Sequence, residues 1–329
     1  IFFDECDVVV KVLEWGKTEL NSIDYTDMVW LPVELSMNAR AFQKDFIFID
    51  ECQDQSLMSI ELFLKCFKRG TRFIAVGDEK QCINTFCGSS EEAFQYMKDY
   101  PKTTQFDLPI CYRCPKTVVE LAKTLVPDIK CREDAPKGDI IEKCWTSALR
   151  SGGMVLCRSK APLLKVYTKL LRKGIQCYIK GQDIGTNLKK LIEEVDIEEL
   201  NTNLKSDGVF VRLYDNLFEI RNKLMESKGL DYQDATLTNY ITNMYDMIKA
   251  LTVLAENYTT KTELLSHIDE IFDETREGVI LSTIHKAKGL EADNVYILCN
   301  SSMPSSLAKK DWEKNAEQNL IYVAYTRAK

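Results

Sequence analysis

The stretch Phe46-Ile47-Phe48-Ile49-Asp50-Glu51-Cys52-Gln53-Asp54 passes from an apolar run into three carboxylates and an amide. Four apolar residues bounded by polar ones predict a buried strand. Acids at the C-terminal end of a parallel strand stand where α/β sheets bind their ligands. An Asp there can hold Mg²⁺ directly or through water, and an adjacent Glu can act as general base on a water attacking a γ-phosphate. An isolated Asp-Glu is more often a solvated acidic turn, so the surrounding segments must decide.

The next strand, Arg72-Phe-Ile-Ala-Val-Gly77-Asp78, ends in the same way and runs into Glu79-Lys80-Gln81. Two neighbouring strand ends would bring carboxylates and Gln81 around one crevice. Further strands are expected at 104–108, 140–145, 154–158, 176–180, 279–283 and 295–298, and helices at 56–68, 90–100, 115–125 and 161–173. Pro115 and Pro162 suit first helical turns, and Gly70 and Gly174 follow helix ends. Alternating strands and helices predict an α/β fold with parallel sheets. From about 183 to 274 the pattern turns to helical periodicity, notably at 209–227 and 234–257, so a helical insertion is expected there. The run 135–138, Ala-Pro-Lys-Gly, is a plausible joint, giving units at 1–137 and 138–329.

Composition narrows the class. The 329 residues are 45% hydrophobic and 28% charged, as in a folded chain of about two domains. With 43 Lys plus Arg against 50 Asp plus Glu, a net charge of -7, no global positive field draws the chain to nucleic acid, so any such site is local. The 12 cysteines are scattered through a chain too large to need staples, which favours reduced intracellular thiols. No apolar run approaches the roughly 20 residues that cross a bilayer, so no membrane contact is expected.

Three more blocks complete the pattern: Leu108-Pro-Ile-Cys-Tyr112-Arg113-Cys-Pro115, Thr283-Ile-His285-Lys286-Ala-Lys288-Gly289-Leu290-Glu291, and Gln318-Asn-Leu-Ile-Tyr322-Val-Ala-Tyr325-Thr326-Arg327-Ala. In this order the five blocks resemble motifs II to VI of the UvrD/Rep family of superfamily 1 DNA helicases. The resemblance implies two RecA-like parallel-sheet domains of the P-loop NTPase type that clamp ATP between them and move along single-stranded DNA.

Carried over by position, it implies that Asp50 coordinates Mg²⁺ and Glu51 activates the attacking water, with Gln53 and Asp54 in the same nucleotide-binding loop. Gln81 would sense the γ-phosphate, Tyr112 would stack on adenine, and Arg113 and Arg327 would reach the phosphates. Gly289 and Glu291 would lie at the nucleotide, Glu291 approaching the ribose. Phe86 would stack on DNA bases, and Thr283 and His285 would lie near the DNA backbone. The implied cofactors are ATP and Mg²⁺, the implied partners single-stranded and duplex DNA with replication or repair proteins, and the implied polarity 3′ to 5′. An intracellular, cytoplasmic chain of a bacterium or a phage-infected cell is expected.

The chain also departs from the family. Its only Gly-Lys-Thr, Gly16-Lys17-Thr18, has Lys11 where a P-loop needs its first glycine, and no loop character precedes it. The sequence is therefore expected to begin inside the first domain of a longer helicase. Asn84 and Cys87 stand where the family commonly has Tyr and Arg, and Gln318 and Asn319 where it commonly has arginines. Without ATP binding, the chain would instead be a single-stranded nucleic-acid-binding remnant or a RecA-like scaffold. A zinc site joining Cys111 and Cys114 to Cys82 and Cys87 is disfavoured, because the first two flank Tyr112-Arg113 and no second clean Cys-x-x-Cys is present.

Overall fold

The apolar run at 46–49 forms the strand expected of it, but only one of its faces is covered. In the computed structural model of the chain, which describes residues 2–84, 91–142, 149, 151–193, 222, 244–245, 247–248, 250–251, 254, 260–298, 303–305 and 308–329, β1 (Lys44–Ile49) pairs in parallel with β2 (Phe67–Ala75). Ile47 and Ile49 pack with Phe73, Ala75 and Ile60. Phe46 and Phe48, on the opposite face, are 59% and 72% exposed. Among the described residues a single helical layer, α3 (Leu57–Lys65) and α4 (Glu91–Lys98), supplies the apolar partners, Ile60, Ala93 and Met97 among them. The strand therefore alternates rather than being buried throughout. Ser56 starts α3 by accepting the Ser59 N–H at 3.1 Å.

Upstream, α1 (Phe2–Thr18) and α2 (Asp27–Glu34) precede β1. Gly16-Lys17-Thr18 forms the last turn of α1, where Lys17 pairs with Glu14 at 2.8 Å and Glu34 at 2.6 Å. That geometry is a helix end held by ion pairs, not a phosphate-binding loop.

The expected strand at 104–108 is irregular chain. Phe106 and Leu108 are exposed, and the first bond to the neighbouring strand is the Lys130 N–H to Pro109 O at 2.7 Å. The strand found there is β3 (Ile110–Cys111), followed by α5 (Lys116–Ala122) and β4 (Lys130–Cys131), with β3 and β4 parallel. This segment packs on Tyr322 and Ala328 near the C-terminus. The strand expected at 140–145 is absent from 140–142, and the remainder lies outside the described residues.

The second sheet has the order β6-β7-β5-β8, all parallel, built from β5 (Met154–Cys157), β6 (Cys177–Ile179), β7 (Val279–Thr283) and β8 (Val295–Ile297). Period-two alternation sends Val155 and Cys157 into one core and Met154 and Leu156 into another, so β5 is buried on both faces. The first core includes α6 (Lys160–Arg172), α7 (Gln182–Glu193) and α8 (Lys261–Ile271); the second is closed by α9 (Asp311–Tyr325). The ends of the expected insertion are thus helical, and Ile248, Leu251 and Leu254 from its interior join the first core. The segment 209–227, apart from residue 222, and most of 234–257 lie outside the described residues. No helix among the described residues is long and apolar enough to cross a membrane.

Candidate functional site

The two strand ends of the first sheet are tied into one loop system. Glu51 adopts a left-handed backbone, φ 48° and ψ 44°, which a residue with a Cβ takes only when its surroundings impose it. Here the Asp50 carboxylate accepts the Glu51 N–H at 2.9 Å, and the Cys52 N–H donates to Val76 O at 3.0 Å. Gln53, 1% exposed, donates to the Glu51 carboxylate and accepts the Asp78 N–H at 3.0 Å. Gln81 in turn donates to Asp78 Oδ2 at 2.9 Å. Gly77 makes this closeness possible, because a Cβ there would lie 2.5 Å from Gln53 Oε1 and 2.6 Å from Cys52 Sγ. Asp50 and Glu51 remain exposed.

The second sheet delivers a cation to these carboxylates. After β7 ends at Thr283, the chain turns through 284–290, with Gly289 at φ 82°. Lys288 reaches from this turn into the first loop system, donating to Asp54 Oδ2 at 2.5 Å and Gln81 O at 2.9 Å, and lying 3.7 Å from Glu51 Oε2. Asn84 adds a longer contact to Asp54 at 3.5 Å. Asn319, buried in α9, donates to Cys82 O at 3.0 Å and Glu79 O at 3.3 Å.

Arg113 Nε donates to Glu291 Oε2 at 2.8 Å, and Lys329 approaches the same carboxylate at 3.6 Å. Arg113, and to a lesser degree Lys329, hold the Glu291 carboxyl below its ordinary range. Tyr112, next to Arg113 in sequence, is 69% exposed. Arg327 is arranged differently. Only 1% exposed, it donates to Val323 O at 3.0 Å, Leu290 O at 3.3 Å and Thr326 Oγ1 at 3.3 Å. In this state its guanidinium braces the end of α9 rather than facing open space, while remaining near enough to feel the charges of Arg113 and Glu51.

Of the residues expected at DNA, Phe86 lies outside the described residues. Thr283 is buried, and its hydroxyl accepts the Lys286 N–H at 3.4 Å, which shapes the turn. His285 is pushed down to about 3 by burial, with Arg158 and Lys160 adding to the effect, so its imidazole is neutral. Cys157 and Thr283 are register partners, which places Arg158, Lys160 and His285 at the C-terminal edge of the second sheet. Arg158 is anchored by Glu317 at 2.9 Å.

Two residues that bridge the sheets carry no signal of that role in their spacing. Lys288 stands inside the block 283–291, where a cation among small residues was its one visible signal. Asn319 stands out in the sequence only as a departure from the family's arginine.

A family model described as "UvrD/REP helicase N-terminal domain" matches residues 4–102, and one described as "UvrD-like helicase C-terminal domain" matches residues 180–329. The chain belongs to the UvrD/Rep helicase family. Its relatives include an F-box DNA helicase protein of Schizosaccharomyces pombe, 26% identical over 87% of this chain and 33% of the relative. A putative ATP-dependent DNA helicase of Bacillus subtilis is 22% identical over 96% of this chain and 55% of the relative. The Gabija protein GajB of Bacillus cereus is 24% identical over 88% of this chain and 63% of the relative. The chain thus spans between a third and two thirds of the length of these UvrD/Rep relatives.

Proposed function

We propose that the chain carries the core of an ATP-dependent DNA helicase or translocase, in which Mg-ATP binds between the Asp50–Gln81 loop system and the block 283–291. The observation that carries this reading is the reach of Lys288 across to Asp54 and Glu51, beside the Arg113–Glu291 pair. An arrangement in which cations from one sheet meet carboxylates of another is suited to a nucleotide whose phosphates engage both. Hard oxygen donors at Asp50, exposed at a parallel strand end, suit Mg²⁺. Bound Mg-ATP would supply the phosphoryl group and its charge.

The residues divide the work. Asp50 would hold the cation, and the Glu51 carboxylate would accept a proton from the attacking water. Gln81, through Asp78 and Gln53, ties the state of that carboxylate to the loop after β2. Arg113 would leave Glu291 for the phosphates, and Arg327 would follow only if the end of α9 rearranges. Tyr112 would cover the base. Arg158, Lys160 and Thr283 would line a local path for single-stranded DNA, with Phe86 as the stacking platform. Movement 3′ to 5′, duplex unwinding, an intracellular setting and replication or repair partners rest on the family resemblance. The units 1–137 and 138–329 belong to this proposal too, with 110–131 bridging them through α9.

The test is Mg²⁺-dependent ATP hydrolysis with and without single-stranded DNA, beside Glu51→Gln. Hydrolysis that rises with DNA and falls about 10²–10⁴-fold in the variant is expected. Binding of single-stranded DNA with no hydrolysis in either protein would instead support the nucleic-acid-binding reading.

A further inference from the structure

Cys111 and Cys114 flank Tyr112-Arg113 and take no part in the proposed chemistry. Cys111 closes β3 and is partly accessible, whereas Cys114, just before Pro115 and α5, is 1% exposed. The Cys114 N–H points at Cys111 Sγ, 3.5 Å away. The Cys114 thiol also lies 3.6 Å from Thr326 O, next to Arg327. The neighbouring Cys114 side chain, more than the backbone N–H groups and Arg113, lowers the Cys111 thiol to about 5 against the opposing effect of burial. The Cys111 side chain, with burial, in turn pushes Cys114 up. A thiolate and a protonated thiol therefore stand together, one placed to attack an oxidant and the other to resolve the product.

We propose that Cys111 and Cys114 are a thiol-oxidation site that closes reversibly into a disulfide around Tyr112-Arg113. With a peroxide as oxidant, the Cys111 thiolate attacks one peroxide oxygen, the O–O bond breaks, and a sulfenic acid and hydroxide form. The Cys114 sulfur then attacks the sulfenic sulfur; the S–O bond breaks, the S–S bond forms, and the Cys114 proton leaves with the hydroxyl as water. Two electrons pass from the two sulfurs to the peroxide, and a dithiol returns them by exchange. Closure removes the S–H that faces Thr326 O and draws in the turn carrying Arg113. It thereby acts on both links, Cys114–Thr326 and Arg113–Glu291, between this turn and the C-terminal blocks. Cys131, the register partner of Cys111, is the competing sulfur, but its thiol lies against Cys114 O at 4.0 Å.

The reduced 329-residue chain is treated with hydrogen peroxide, its remaining thiols are alkylated under denaturing conditions, and it is digested with trypsin, which cuts after Arg113. The expected product is a reducible link between the peptides carrying Cys111 and Cys114, formed at least about tenfold faster than the loss of the Cys177 thiol, which burial raises to about 12. The link should persist in Cys131→Ser and vanish in Cys114→Ser, where Cys111 stops at an oxygenated acid. A Cys111–Cys131 link, or oxidation of Cys111 no faster than that of Cys177, would overturn the proposal. The consequence for Arg113 rests on the nucleotide site proposed above. It predicts a dithiothreitol-reversible fall in ATP hydrolysis that Cys111→Ser abolishes, whereas the mass readout stands whether or not the chain hydrolyses ATP.

Discussion

Lys288 and Asp54, 234 residues apart in sequence, meet at 2.5 Å, and the lysine side chain is only 11% exposed. The same Nζ also donates to Gln81 O, so one cation holds both loops of the first sheet from a turn of the second. A largely desolvated ammonium with two oxygen partners is a stronger tie than a surface pair. Lys288→Met keeps most of the stem's packing and removes the charge. The expected loss is about 1–3 kcal/mol of stability, read by denaturant unfolding, with a larger fractional loss of DNA-stimulated than of basal ATP hydrolysis. A variant as stable as the parent would show that the contact is not a tie.

Asn319 makes a second, uncharged bridge. Its amide satisfies Cys82 O and Glu79 O, the carbonyls of the loop that carries Gln81. Asn319→Leu retains bulk while leaving the buried carbonyl without its donor, which costs about 1–3 kcal/mol. Unfolding midpoints should fall accordingly. Gln318→Ala, one residue away and without these bonds, serves as the control that should not move.

What the sequence made legible follows from the range of the forces involved. Strand β7 was readable to the residue because its period and its neighbours are local, and the strand ends carrying Asp50 and Asp78 were readable for the same reason. The strand expected at 104–108 does not form because apolar Phe106 and Leu108 have the pattern of a strand but no strand partner among the described residues, and pairing is not a local property. Asp54, Arg113, Lys288 and Glu291 lie within the quoted blocks, whereas Arg158 and Lys160 lie outside them. The Lys288–Asp54 and Arg113–Glu291 contacts, however, join positions 234 and 178 residues apart, and one sequence carries no signal of such meetings. The buried state of Arg327 was invisible likewise, because an arginine in an Ala-Tyr-Thr-Arg-Ala segment looks the same whether it faces a crevice or a carbonyl.

Gly77 sets a steric prediction at the junction of the two carboxylate loops. A methyl group there would meet Gln53 Oε1 at 2.5 Å and Cys52 Sγ at 2.6 Å, both atoms of buried side chains with little room to withdraw. Gly77→Ala should destabilise by about 1–3 kcal/mol. It should also displace the Gln53 side chain, ending its bond to Glu51. Nucleotide hydrolysis should therefore fall by more than the unfolded fraction accounts for, which parallel activity and circular-dichroism measurements on the same sample would reveal.

The neutral His285 gives a pH dependence with a definite sign. Its folded value, about 3, lies below the ordinary 6.5, so below pH 6.5 the unfolded chain binds a proton that the folded chain refuses. The stability contributed by the unprotonated ring is fully present above pH 6.5 and is lost progressively as pH falls toward 3. The groups opposing its charge are Arg158 and Lys160, which stay cationic throughout that range. His285→Gln should therefore flatten the decline of the unfolding free energy between pH 6.5 and 5, and leave it parallel to the parent above pH 7. A neutral ring also contributes no counterion release when DNA binds. The slope of log affinity against log salt at pH 7.5 should be the same in His285→Gln as in the parent, but shallower by up to about 0.7 in Lys160→Gln if that residue meets a phosphate of a single strand. An equal drop in slope for both variants would show that His285 is charged in the complex.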